Sequence, residues 1–269
     1  MQSPPRILTI AGSDSSGGAG IQADVKTITM LGGYAMTAIT AVTAQNSLGV
    51  TGVETFRTGF VAEQIQACTE DIGIDAIKIG MLANEAIVDE VSKTLHAFTL
   101  NTDVALVIDP VMVATSGHRL IDAAAIMAMR TRLLPIASLV TPNLPELELL
   151  WRQKISGVEQ MTEAAVALAI ELKSPVLAKG GHLKGDVVDI LVDTNGEIVR
   201  FANSRIDSHH THGTGCTLSS AIATFLGHGE TLEEAVRLAR QFVQSAIENA
   251  PGFGQGNGPL GHQAVGKLY

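Results

Sequence analysis

Residues 209–223 read HHTHGTGCTLSSAIA, and Cys216 stands where chemistry is easiest to imagine. His209, His210 and His212 lie just upstream, and Gly213, Thr214 and Gly215 come immediately before. An apolar, small-residue stretch of helical character follows. These residue types at this spacing allow several chemistries. A thiol beside histidines can be a nucleophile. His210, His212 and Cys216 can in principle bind zinc. Consecutive backbone N–H groups at a helix start form an anion site, because they lack intrahelical partners and sit at the positive end of the dipole. A cysteine there is expected to ionise more readily. Simple packing of a small residue is the remaining reading. The glycines favour the anion site, since no second cysteine is near and no third group orients a nucleophile.

Four other stretches carry polar groups where an α/β sheet presents ligands. GSDSSGGAG (12–20) joins a strand to a helix. No Gly-Lys-Ser/Thr follows, so it is not a Walker loop. Gly18, Gly20 and Ala23 match G-x-G-x-x-A only weakly, six residues away from the strand. DPVM (109–112) and TPNLPE (141–146) put Asp109, Asn143 and Glu146 at strand ends, a setting that suits Mg²⁺ and its waters. Glu146 is equally well read as an acid favoured by the first turn of a helix. AKGGH (178–182) sets Lys179 beside two glycines, where a lysine can reach a phosphate, although a lone surface lysine is the commoner reading of such a motif.

The elements that must position these groups alternate. ILTIA (7–11) predicts a buried strand, and Ile21, Val25, Ile28 and Leu31 predict a helix stopped by Gly32-Gly33. MTAITAVTA reads as one strand. Val61, Ile65, Cys68 and Ile72 mark a helix, which places Cys68 in the core. AIKIG, ALVIDP, SLVTP and PVLAKGG read as strands, separated by helices at 85–97, 121–134, 145–150 and 162–172. Alternation of this kind predicts parallel pairing with right-handed crossovers. VVDILV and EIVRF flank Asp193-Thr-Asn-Gly, a hairpin signal. Helices at 216–227 and 231–248 follow, and then a glycine-rich tail. A single α/β domain over 1–269 is expected.

Composition sets the outer bounds. The chain has 269 residues, 46% hydrophobic and 17% charged, with a net charge of −9 and two cysteines. An acidic chain without a basic stripe argues against nucleic acid and anionic membrane as partners. Two lone cysteines suggest no disulfide framework, which fits a reducing, cytoplasmic setting. The first residues hold no long apolar run after a basic region, so no signal peptide is expected.

Taken together, the motifs resemble the ribokinase-like kinases, and within them the hydroxymethylpyrimidine/phosphomethylpyrimidine kinases. The resemblance rests on AGSDSSGGAGIQADVKT, TAVTAQNSLGV, KIGML, VIDPVM, TPNLPE, KGGH, THGTGCTLSSAIA and a closing GxGxGPxxH from Gly254 to His262. It implies a three-layer αβα sandwich whose central sheet is mainly parallel, with the late hairpin attached. It implies ATP and Mg²⁺, and a homodimer. The implied reaction phosphorylates 4-amino-5-hydroxymethyl-2-methylpyrimidine and then its monophosphate, in thiamine biosynthesis. By the same resemblance Gln45 meets the pyrimidine edge, with Ala19, Asp24, Met81 and Val111 around it. Gly213, Thr214, Gly215 and Cys216 form the anion hole, and Lys179 meets the nucleotide phosphates. Asp109, Asn143 and Glu146 organise Mg²⁺, with Asp109 and Glu146 acting through water. Sugar kinases of this fold have aspartate where Cys216 stands, whereas related pyridoxal kinases share the cysteine. A pyridoxal kinase, or a dual activity, is therefore the alternative, and a non-catalytic vitamin-binding protein is a further one.

Overall fold

The computed structural model describes residues 3–99, 102–112 and 121–265. The ends of the expected 1–269 span thus lie outside the described residues. The chain alternates as its pattern predicts: β1 (Arg6–Ala11), α1 (Gly20–Met30), β2 (Tyr34–Ile39), β3 (Ala41–Asn46), β4 (Gly49–Thr55), α2 (Thr58–Ala67), β5 (Ala76–Ile79), α3 (Glu85–Thr99), β6 (Ala105–Ile108), α4 (Ala123–Ala128), β7 (Leu139–Val140), α5 (Leu144–Trp151), α6 (Val158–Leu172), β8 (Val176–Ala178), β9 (Val187–Val192), β10 (Ile198–Asn203), α7 (Thr214–Gly227) and α8 (Leu232–Glu248).

The main sheet runs β10-β9-β8-β7-β6-β5-β1-β2. Neighbours from β8 to β2 pair in parallel, and β9 joins antiparallel to both β8 and β10. The fold is the expected α/β sandwich with a late hairpin. One apolar layer gathers Leu8, Ile10, Ile77, Ile79, Val91 and Leu168 beneath α2 to α6. The opposite layer gathers Ile7, Ala76, Val107, Ile222, Val236 and Phe242 beneath α1, α7 and α8. Strand residues alternate between these layers because successive side chains point to opposite faces. Thr9 and Lys78 are registered partners on β1 and β5, and the alternation aims both at the α1/α7 layer.

The structure departs from the sequence expectation in three places. MTAITAVTA is two strands: β2 stays in the main sheet, while β3 leaves it at Thr40 to pair with β4. Thr40 holds the branch point, its N–H bonded to Ala11 O and its hydroxyl to Met81 O. Residues 49–55, to which the pattern assigns no element, form β4, and β3 with β4 make a separate two-stranded flap. At its tip the Ser47 hydroxyl accepts the N–H groups of Gln255 and Gly256, so the glycine-rich tail docks on the flap. The predicted helices at 61–72 and 121–134 also change character. Each ends in a π turn, at Cys68–Ile72 and Met129–Leu133.

Candidate active site

The ligand loops follow the carboxyl ends of the parallel strands, where such sheets leave a crevice. Asp109 comes directly after β6, Thr141 after β7 and Lys179 after β8. Lys179 Nζ donates to Asp109 Oδ1 at 2.7 Å, and both side chains are nearly buried. The Thr141 hydroxyl also approaches Oδ1, at 3.4 Å. Burial opposes the Lys179 charge, yet Asp109 and Glu146 hold its pKa above the ordinary lysine value.

This ion pair sits over the start of α7. A methyl group added at Gly215 would stand 3.1 Å from Asp109 Oδ2 and 3.2 Å from Lys179 Nζ. Gly213 caps the helix with φ +84°. A side chain there would also overlap the carbonyl oxygen of Gly18, so glycine is required on two counts. The first intrahelical bond is Thr217 N–H to Gly213 O. Helix geometry therefore leaves the Gly215 and Cys216 N–H groups directed at the crevice. The helix start expected from the sequence is in place, and Gly213, Thr214, Gly215 and Cys216 line the crevice.

Cys216 does not ionise more readily than a free thiol, contrary to the expectation from its helix start. Burial pushes its pKa up to about 11, with Asp24 and Asp109 adding to the rise. Lys78 and the Gly20 N–H oppose this and are outweighed. The free cysteine is a neutral thiol near pH 7. The zinc reading also finds no support. His212 Nε2 turns to Asp14 Oδ2 at 2.8 Å. Among the described residues no group of three or more His, Cys, Asp or Glu is arranged to hold a metal ion.

Asn143 and Glu146 form a capping box on α5. Asn143 Oδ1 accepts the Glu146 N–H at 2.9 Å, and Glu146 Oε2 accepts the Asn143 N–H at 2.8 Å. The helix-start reading of Glu146 is thus correct as far as it goes. Glu146 is also buried, and its carboxyl rises to about 8, first through burial and then through Asp109, against the pull of Lys179. With its carboxyl raised this far, Glu146 is held mostly protonated beside the balanced Asp109–Lys179 pair, and an arriving cation would favour its ionised form. That donor set fits a divalent cation held largely through water, as hard oxygen ligands favour.

A cavity of about 740 Å³ runs from these groups to the flap. Ala19, Gln45, Met81, Val111, Asn143, Glu146, Lys179 and residues 213–216 all line it, together with Asp109. Asp24, expected beside the substrate, does not. Its carboxylate is fully buried behind the wall, 2.8 Å from Lys78 Nζ through each oxygen. The hydroxyls of Thr9 and Ser220 donate to it at 2.6 and 2.7 Å. The inward face of α1 places it there. Lys78, which does line the cavity, is a residue the motifs did not single out. Its signal was a lone lysine within the apolar strand AIKIG, because a charge there needs a buried acid.

Asp14 and His212 were also passed over as a pair. Asp14 accepts the N–H groups of Ser16, Gly18 and Ala19 and the Ser16 hydroxyl, so it shapes the whole loop before α1. Burial works against its charge, but His212 and Ser16 hold its pKa below the ordinary carboxylate value. Gln45 Nε2 lies 3.3 Å from His212 Nε2, and the Thr43 hydroxyl donates to Gln45 Oε1 at 3.2 Å.

One end of the cavity carries an amide, and the other carries a helix start and a lysine, a layout that suits a small-molecule kinase. Comparison with known proteins narrows the class. Residues 14–261 match the family model described as phosphomethylpyrimidine kinase. The chain belongs to that family. A hydroxymethylpyrimidine/phosphomethylpyrimidine kinase of Streptomyces coelicolor is 44% identical over 96% of this chain and 94% of its own length. A thiamine biosynthesis bifunctional protein of Geobacter sulfurreducens is 47% identical over 95% of this chain, which spans 52% of that longer protein. Among solved structures, an ADP complex of Bacillus subtilis pyridoxal kinase aligns with TM-score 0.88 at 37% identity, covering 98% of this chain and 99% of that one. A phosphomethylpyrimidine kinase from Clostridium difficile aligns with TM-score 0.79 at 42% identity, covering 90% and 99%.

Proposed function

We propose that the chain transfers the γ-phosphoryl of ATP to the hydroxymethyl oxygen of 4-amino-5-hydroxymethyl-2-methylpyrimidine, and then a second phosphoryl to the resulting monophosphate. The observation that carries this reading is a cavity with Gln45 at one end and the α7 start, Lys179 and Asp109 at the other. An amide offers both a donor and an acceptor, which matches the ring nitrogen and amino group of an aminopyrimidine edge. Ala19, Met81 and Val111 supply apolar walls. The family membership and the nucleotide-bound relatives support ATP as the donor.

In this reading the Gly215 and Cys216 N–H groups meet the transferring phosphoryl, and Lys179 steadies the nucleotide phosphates. Asp109 and Glu146 would hold Mg²⁺ through water, and the ion would supply neutralisation of phosphate charge. Phosphoryl transfer passes through a loose transition state, so positioning and electrostatics matter more than a strong base. That suits a Cys216 thiol that stays neutral. Its neutrality also spares the second acceptor, an ionised phosphate, from a facing negative charge.

Mass detection of mono- and diphosphate products from the pyrimidine, ATP and Mg²⁺ tests the reading. Product that requires the pyrimidine excludes a non-catalytic binding role. A pyridoxal control belongs in the same run, because the likeness to pyridoxal kinase structures favours that ring as the second reading. Turnover of pyridoxal alone would overturn the first. A homodimer in the cytoplasm completes the proposal. The exposed Val42, Leu48 and Val53 of the flap support an association surface, and no helix among the described residues is long and apolar enough to cross a membrane. Sedimentation of the purified chain tests the assembly.

A further inference from the structure

Four lysine or arginine side chains line the cavity: Lys78, Lys179, Arg205 and Arg240. Three of them are matched by carboxylates. Lys78 meets Asp24 at 2.8 Å, Lys179 meets Asp109 at 2.7 Å and Arg240 meets Asp189 at 2.8 Å. Arg205 has no such partner among the described residues. Its guanidinium donates instead to three backbone carbonyls, Gly185 O at 2.8 Å, Gly181 O at 2.9 Å and Leu183 O at 2.5 Å. Carbonyls orient a guanidinium without cancelling its charge. Three of its five N–H donors are spent on them, and two remain.

The three carbonyls belong to the loop that follows Lys179. That loop has one bond of its own, Leu183 N–H to Gly180 O at 3.0 Å, and it turns at Gly185 with φ +83°. Among the described residues, the other hydrogen bonds made by residues 181–185 come from Arg205, so the placement of the loop depends on it. Gly181 and His182 of the loop line the cavity as well. The Arg205 charge is felt there: burial lowers the His182 pKa first, and Lys179 and Arg205 lower it further.

We infer that Arg205 is a nucleotide-affinity residue: its fork fastens the 181–185 loop as a wall of the cavity, and its unmatched charge draws the polyphosphate of the nucleotide to that wall. A nucleoside di- or triphosphate brings several negative charges into the cavity. The other three lysine and arginine charges are already offset by acids, so the field that favours a polyanion comes first from Arg205.

This inference rests on the proposed function for ATP as the donor. Its test titrates ADP with Mg²⁺ into the full chain by calorimetry, at low and at raised salt, for wild type, Arg205→Gln and Arg205→Lys. Glutamine removes the charge and keeps an N–H for one carbonyl. Lysine keeps the charge and gives up the fork. The Kd for ADP should rise about tenfold with glutamine and about threefold with lysine, as the loss of charged and of neutral hydrogen bonds predicts. Added salt should weaken ADP binding less steeply in the glutamine variant than in wild type or the lysine variant. In turnover, KM for ATP should follow the same order, while KM for the pyrimidine stays at the wild-type value. Unchanged ADP affinity in the glutamine variant overturns the inference. So does an equal rise in both KM values, or a salt dependence that the glutamine substitution leaves intact, since either would mark a merely structural role. A wild type that binds no ADP overturns it too. A wild type that binds ADP but phosphorylates no pyrimidine would instead count against the pyrimidine reading, and the ADP titrations would still decide this one.

Discussion

Replacing Lys78 by methionine removes a charge from the floor of the cavity while keeping side-chain length and bulk. Lys78 and Asp24 are both fully buried, and Nζ contacts both carboxylate oxygens at 2.8 Å. After the substitution Asp24 retains only the Thr9 and Ser220 hydroxyls. Two neutral donors do not offset an ionised carboxylate away from water. Removing one partner of such a pair typically costs about 3–5 kcal/mol, because the other charge is left uncompensated. With a urea slope near the top of the usual range, the unfolding midpoint should fall by about 1–2 M. The double variant Lys78→Met/Asp24→Asn removes both charges, and its amide oxygen still accepts from Thr9 and Ser220. It should recover most of the loss. Equilibrium unfolding in urea, followed by circular dichroism, measures both. A single-variant loss below about 1 kcal/mol would refute the claim that the pair is electrically isolated. A double variant no more stable than the single would refute it equally.

Four further outcomes follow from the site. Gly213→Ala should lower kcat by at least a hundredfold in steady-state assays, because its side chain would strike Gly18 O and displace N–H donors whose loss costs about 2.7–4 kcal/mol in comparable sites. Cys216→Ser should cost less than a hundredfold in kcat at pH 7.5, since a thiol with a pKa of about 11 is no base there. Cys216→Asp should impair the monophosphate more than the alcohol, which product mass spectrometry on each acceptor resolves. Glu146, raised from 4.5 to about 8, binds its proton more tightly folded than unfolded. Its contribution to stability is complete below about pH 4.5 and disappears as pH rises toward 8. Glu146→Gln should flatten the urea midpoint across that window, and an unchanged slope would contradict the assignment.

Much of the site could be read from the sequence because strand ends can be. Asp109, Asn143, Glu146 and Lys179 each sit just past a short apolar run, and parallel strands deliver such residues to one edge of the sheet. The start of α7 is local too, being written in three consecutive residues and the helix they open. What escaped detection depends on distance along the chain. Lys78 meets Asp24 across 54 residues, and His212 meets Asp14 across 198. No window of sequence shows either pair. Asp24 was misplaced for the same reason, because periodicity says that α1 has an inner face but not what waits there. Cys216 was misjudged because burial is a tertiary quantity, and it outweighs the helix start. β4 was invisible because GVTGVET is glycine-rich and most of it is exposed, so no apolar alternation marks it.

The flap separates two tasks that the cavity joins. Gln45 rides on a two-stranded ribbon with its own pairing, pinned at its tip by Ser47 to the tail. Asp109, Lys179 and the Gly215 and Cys216 N–H groups ride on the main sheet and α7. On the proposed function, changes in the ribbon would alter which ring is accepted while those groups keep their alignment. In evolutionary terms, that reading makes the molecule a fixed engine with an exchangeable reading head.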